Sequence, residues 1–155
     1  MGLSTDSIFI AAINADASLM SDLGSRLYST AIPLPDEEAD NVPLPYVIVK
    51  FDGLENDQST KDCYESDIDR VHIGVEIAAK NRQQLSELAA RIRRQIRSYF
   101  ENVLGTDDDY DAIPLDYQFS ADAVQFDPLK PCHWQTLHYL CDVRNDNDGT
   151  EEELL

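Results

Sequence analysis

The clearest pattern along the chain is an alternation of apolar and polar side chains between Ile68 and Ile77. A period of two residues predicts a β-strand with one buried face and one face that is wet or contacts a partner. The apolar face comprises Ile68, Val71, Ile73, Val75 and Ile77, and the polar face comprises Arg70, His72, Gly74 and Glu76.

Two segments carry the three- and four-residue spacing of amphipathic helices. The longer helix is predicted from Arg82 to Leu104, with Asn81 as its N-cap. Its apolar positions are Leu85, Leu88, Ala89, Ile92, Ile96, Phe100 and Val103. The other helix begins at Ser4 or Thr5 and ends at Gly24, where a left-handed residue costs least. Its apolar positions are Ile8, Ala12, Ala15, Leu19 and Leu23.

The remaining ordered segments are predicted to be strands. In "VPLPYVIVKF", Pro43 and Pro45 cannot donate ladder hydrogen bonds, so they place the start of a strand at Tyr46 and its end at Phe51. The segment "SRLYSTAIP" predicts a short extended piece, and the ranges 113–126 and 132–144 predict further strands. Residues 34–42 and 52–67 are acidic and without period, which indicates surface connections.

These elements predict an α+β fold: two amphipathic helices packed on a mainly antiparallel sheet of four to five strands, forming two layers. Residues 1–145 are predicted to form a single domain, and residues 146–155 an acidic, disordered tail. The chain carries neither an internal repeat nor the composition shift that would indicate a second domain.

The net charge of −18 restricts the partners of the chain. A field of this sign repels nucleic acid and anionic lipid, so neither a nucleic-acid-binding nor a membrane-bound protein is expected. No apolar run reaches the about 18–20 residues that a membrane span needs, and the N-terminal sequence does not resemble a secretory signal. The 3 cysteines lack clustered spacing, which favours reduced thiols in a cytoplasmic setting.

The basic residues are concentrated in one place. Half of the 12 lie between Lys80 and Arg97, where Glu87 is the one acid, so this segment carries +5 against −23 elsewhere. Three interpretations stay open: a solvated helix face with local ion pairs, a basic edge that contacts an acidic edge of the next copy, or a nucleic-acid contact through "RIRRQIR". The acidity of the whole chain disfavours the third interpretation.

No residue set indicates catalysis, a cofactor or a metal. Cys132, His133, His138 and Cys141 have zinc-ligating side chains, but alternation along a strand puts Cys132 and His138 on one face and His133 and Cys141 on the other. The acidic clusters "DEEAD" and "DDDYD" lack the glycine and terminal glutamate of a calcium-binding loop. The chain contains none of the common nucleotide-binding, hydrolase or metalloprotease motifs, so no enzyme is expected.

An ordered series of segments resembles the tail-completion, or tail-terminator, family of long-tailed bacteriophages and related prophages. The series is "IFIAAINADASLMSDL", "GSRLYSTAIP", "LPYVIVKF", the strand "DRVHIGVEIAAKN" and the helix "RQQLSELAARIRRQIRSYF". It covers about two thirds of the chain, Ser7 to Phe100, and its most specific parts are "PLPYVIV" and the strand-to-helix junction. The acidic loops and the acidic C-terminus depart from the pattern of the family.

The resemblance implies a structural virion protein, without catalysis or cofactor, that assembles in the cytoplasm of a bacterial host. It would form a ring, usually hexameric, that ends the tail tube and joins the tail to the neck and head proteins. DNA would pass through the bore without sequence-specific binding, and acidic loops would line that bore. The expected interface residues are Tyr46, Val47 and Ile48, as an open strand edge that pairs with a neighbouring sheet, and Arg82, Arg91, Arg93, Arg94 and Arg97.

Two alternatives to the tail terminator stay open at this point. One is a neck or head-completion adaptor ring of the same particle. The other belongs to a different class: a monomeric acidic binding or inhibitor module that mimics DNA through its charge.

Overall fold

Three helices pack on one face of a mixed, six-stranded sheet. The computed structural model describes residues 5–35, 41–56, 67–104 and 114–144. The helices are α1 (Thr5–Asn14), α2 (Ala17–Leu23) and α3 (Arg82–Leu104). The strands are β1 (Leu27–Ser29), β2 (Tyr46–Glu55), β3 (Ile68–Ala79), β4 (Pro114–Ala121), β5 (Gln125–Asp127) and β6 (Cys132–Arg144). The α+β class is as predicted, whereas the described residues contain one more helix and one more strand than expected.

The strand order is β1-β2-β3-β6-β4, and β5 pairs with the first residues of β6. The β1–β2 pair is parallel and the other described pairs are antiparallel. The long strands β3 and β6 lie at the centre and pair continuously from Ile68↔Arg144 to Ala79↔His133. Their alternating apolar side chains therefore form the central part of the sheet face on which the helices pack.

The N-terminal helix predicted as continuous to Gly24 is two helices. The first helix ends at Asn14. Asp16 caps α2 by accepting a hydrogen bond from the backbone N–H of Leu19 at 3.1 Å. An aspartate that bonds its own backbone favours a cap over a helix interior, which explains the break. Gly24 ends α2 with φ +58°, as predicted, and Ala15, which was expected on the apolar stripe, is exposed.

Helix α3 has the predicted bounds, and Asn81 is its N-cap. The Asn81 side-chain oxygen accepts a hydrogen bond from the N–H of Gln84 at 2.8 Å, and the Gln84 side chain accepts one from the N–H of Lys80 at 2.9 Å. The N–H of Gln84, which the helix leaves unpaired, and the N–H of Lys80, just before the N-cap, are thereby satisfied.

The Asn81 cap gives a direct stability prediction. Replacing Asn81 with alanine should lower the free energy of unfolding by about 1 kcal/mol, because the N–H of Gln84 loses its acceptor. Urea denaturation measures the change, and Asn81→Asp, which keeps an acceptor oxygen, serves as the control. Equal stability of the alanine and aspartate variants would contradict the role of the cap.

Strand β2 starts at Tyr46 as predicted but continues past Phe51 to Glu55. A β-bulge between Phe51 and Gly53 shifts the register, and Gly53 adopts φ +140°, a conformation that suits glycine. On β3, the predicted apolar face is buried from Val71 to Ile77, whereas Ile68 is exposed and Asp69 is buried in its place. The residues of β2 after Phe51 are mostly polar and show no alternation, so the sequence pattern did not predict that the strand continues to Glu55.

The range 113–126, predicted as one strand, holds two strands instead. Strand β4 ends at Ala121, and β5 begins at Gln125 beside a different part of β6. The acidic segments at 36–40, 57–66 and 105–113 and the tail after Arg144 lie outside the described residues. The division into a domain of residues 1–145 and a tail therefore stays a prediction.

Fully buried aromatic rings join the helices to the sheet. The ring centroid of Phe9 on α1 lies 5.1 Å from that of Phe100 on α3 and 4.9 Å from that of Tyr139 on β6. Tyr117 and Phe119 on β4 contact the same tyrosine ring at 5.5 and 5.2 Å. Edge-to-face packing of this kind adds to the stabilisation that burial alone supplies.

Candidate functional site: the arginine side of α3 and the open face of the sheet

The arginines of α3 have different environments. Arg91 forms an ion pair with Asp22 on α2 and donates a hydrogen bond to Ser18 at 3.3 Å. The guanidinium of Arg93 stacks over the Phe119 ring, 3.9 Å from its centroid. Arg82, Arg94 and Arg97 are exposed and form no ion pair with another described residue. The local-pairing interpretation therefore holds for Arg91, and the other arginines leave a cationic surface.

The predicted open edge at residues 46–51 is covered for part of its length. Strand β1 pairs in parallel with Val47–Val49, and β3 pairs with the other side of β2. The premise of an open edge is therefore wrong at Val47 and Ile48. Tyr46, Val47 and Ile48 are buried, and any role for them at a subunit contact stays a prediction.

The two predicted sets of interface residues are not brought together. Leu88, Ile92 and Ile96 of α3 belong to the main hydrophobic core, on the same sheet face as Val47. Tyr46 and Ile48 point to the opposite sheet face, where they form a small apolar cluster with Val42 and Ala78. The α3 arginines and these two side chains therefore belong to opposite sides of the molecule.

That opposite side, here called the open face, is covered by no helix among the described residues. It consists of the side chains of β2, β3, β4 and β6 that point away from the main core. Ile32, Val42 and Leu44 cover one end of it. Apart from Leu140 and the buried Gly74, the rest of the open face is polar and half-buried or exposed.

Four ion or hydrogen-bonded pairs cross the open face. Lys50 contacts Glu76 at 2.7 Å, and Arg70 contacts Asp142 at 3.5 Å. The Nε2 atoms of two histidines contact carboxylates at 2.9 Å, in the pairs His72–Glu55 and His138–Asp122. Such exposed pairs contribute little to stability, so their main effect is to fix the positions of charged groups.

A shallow groove of about 290 Å³ lies between the two histidine pairs. Its lining includes His72, His138, Leu140, Gln118 and Ser120. Gly74 lies beside it in β3, and a side chain at this position would collide with the carboxylate of Asp52. The groove therefore presents hydrogen-bonding groups from three neighbouring strands at one place.

The sequence indicated only part of this surface. The alternation of Arg70, His72, Gly74 and Glu76 predicted a wet or partnered face on β3. The contributions of β2, β4 and β6 could not be found, because they depend on strand order and on the bulge after Phe51.

The cysteine and histidine residues of β6 are separated by strand alternation. His138 lies on the open face, whereas Cys141 lies in the main core, where burial raises the pKa of its thiol to about 12. Burial also raises the pKa of the Cys132 thiol. No group of three or more potential metal ligands occurs within the described ranges. None of the helices in those ranges has the length and apolar character to cross a membrane.

Comparisons with known proteins bear on the fold. No family model matches the chain, and no curated protein matches it. Among solved structures, it is similar to a chain from the virion of a native gene transfer agent particle, with a TM-score of 0.50 and 12% sequence identity. The alignment covers 90% of this chain and 93% of that chain. The protein therefore has, over most of its length, the α+β fold of a component of a gene transfer agent virion.

Proposed function

We propose that this chain is a structural virion protein that forms a ring at the end of a phage-type tail tube. There it ends tail growth and joins the tail to the neck and head. The observation that carries the proposal is the fold that it shares, over 90% of its length, with a chain of a gene transfer agent virion. The ordered segments that resemble the tail-terminator family support the tail position in particular.

The charge distribution supports a conduit for DNA. A net charge of −18 opposes the binding of phosphates, which depends on cationic side chains that release counterions. A genome can then pass through the bore without being held. The exposed arginines of α3 are available for contacts between protein subunits. The role needs no catalytic group and no cofactor, and the ring assembles in the host cytoplasm before it enters the virion.

The mass of the assembled protein tests this proposal. Light scattering after size-exclusion chromatography should give one closed oligomer, expected as a hexamer, at high concentration or with the tail tube protein added. A closed ring predicts a single mass, because every subunit in it already uses both of its contact surfaces and no further subunit can be added. A protein that stays monomeric under both conditions would contradict the ring and favour the acidic binding module.

A second comparison separates the tail terminator from the neck adaptor. Purified tails and purified heads are each incubated with the protein and recovered by sedimentation. Binding to tails alone supports the terminator role, and binding to heads alone supports the adaptor.

A further inference from the structure

Two oppositely charged surfaces lie on opposite sides of this molecule. Helix α3 packs on the sheet through Leu88, Ile92 and Ile96, so the exposed arginines of α3 face away from the sheet or along its flank. The open face lies on the other side of the same sheet. The two surfaces therefore cannot meet within one chain.

The open face is acidic. Its permanent cations are Lys50, Arg70, Arg144 and Lys130, the last lying over the Tyr46 ring, and its histidines are His72 and His138. Its carboxylates are Asp52, Glu55, Glu76, Asp116, Asp122 and Asp142. Each carboxylate can accept several hydrogen bonds, so those already paired keep free acceptor positions for a guanidinium.

Two of these carboxylates are especially accessible. Asp52 and Asp116 are exposed, and neither forms an ion pair with another described residue. Asp52 lies above Gly74, and Asp116 lies at the edge strand β4, where its carboxylate accepts a hydrogen bond from the N–H of Tyr117 at 2.8 Å. Asp116 lines a small pocket that shares Gln118 and Leu140 with the groove, and Asp52 lies on the other side, on β2.

We infer that the open face is the surface that receives the arginine side of α3 from the next copy in the ring. This inference rests on the proposed function and names its subunit contact. Charge complementarity identifies the occupant: a chain of net charge −18 repels another copy in general, so a contact between copies must bring the concentrated arginines against carboxylates.

The opposite placement of the two surfaces determines the form of the assembly. Each copy would offer arginines on one side and carboxylates on the other, so every contact is heterologous and repeats in one direction. Contacts of this kind close into a ring when the rotation allows, whereas a two-fold dimer would use one patch twice.

Charge reversal tests the inference. Arg94→Glu with Arg97→Glu reverses the helix side, and Asp52→Lys with Asp116→Lys reverses the open face. Each double variant alone should weaken the subunit contact at least about tenfold, because each places like charges against each other. Circular dichroism and thermal unfolding check that the variants fold, and native mass spectrometry measures ring formation.

Rescue distinguishes a contact from a general effect of charge. The chain with all four substitutions keeps the net charge of −18 and should form the ring again. A mixture of the two double variants should form mixed rings in which the variants alternate. In the control, Glu151→Lys and Glu152→Lys, outside the described residues, restore the net charge of the helix-side variant, and the ring should stay lost.

The outcomes separate this inference from the proposed function. If the wild-type chain never assembles, the ring fails and the subunit contact fails with it. If the wild-type chain assembles and the open-face reversal leaves the ring intact, only this inference is overturned, and the open face faces the bore or another protein. The inference on the subunit contact is also overturned if neither the fourfold variant nor the mixture of the two double variants forms rings.

Discussion

Replacing Phe9 with alanine is expected to lower the free energy of unfolding by about 3–5 kcal/mol, because a large buried ring is removed and a cavity is left. Phe9 is wholly buried, and its ring packs against Phe100 on α3 and Tyr139 on β6. The loss therefore affects the contact of α1 with both the longest helix and a central strand.

Urea denaturation of the wild type and of the Phe9→Ala variant measures the change in the free energy of unfolding. Ser7→Ala, an exposed position on the same helix, is the matched control and should change stability by no more than about 0.5 kcal/mol. A loss below about 1 kcal/mol for Phe9→Ala would show that α1 does not depend on this aromatic contact.

Alkaline pH is expected to destabilise the fold partly through Cys141. Burial raises the pKa of its thiol from 9.0 to about 12, and the nearby Asp142 carboxylate adds to the increase. Between these values the unfolded chain has lost the thiol proton while the folded chain keeps it. Stability is therefore full below pH 9 and falls by about 1.4 kcal/mol per pH unit, for this group, as pH rises toward 12.

A variant isolates the contribution of this thiol. Cys141→Ala should be less stable than the wild type at pH 7, and that difference should shrink by about 1.4 kcal/mol for each pH unit above 9. Tyr139, whose pKa is raised mainly by burial and to a smaller extent by Cys141, is present in both proteins, so most of its contribution cancels in the comparison. Val143→Ala, another fully buried position on β6, should differ from the wild type by a constant amount. Parallel stability curves for Cys141→Ala would contradict the elevated pKa.

The bounds of two regular elements could be predicted from the sequence. Helix α3 and strand β6 have the predicted bounds, because an amphipathic stripe and an N-cap at Asn81 define the first, and "DPLKP" precedes the second. The N-terminal helix was predicted too long, because the apolar spacing continues across Asp16 although its side chain caps a new helix.

The candidate site was predicted less completely, because it depends on which strands become neighbours. Nothing local in "RLYS" indicates that β1 pairs with Val47–Val49 and covers the expected edge. Asp52 and Glu55 belonged to a polar stretch without period, and only the bulge and the continued pairing with β3 place them on the open face. The concentration of arginines, by contrast, was visible in the composition of one segment.

Electron microscopy of tail tubes tests the ring most directly. Tubes assembled from the tail tube protein are imaged in negative stain with and without this chain at increasing concentration. We expect an annular density at one end of each tube and an end to further elongation. Bare tube ends together with isolated single subunits, at the highest concentration used, would contradict the ring.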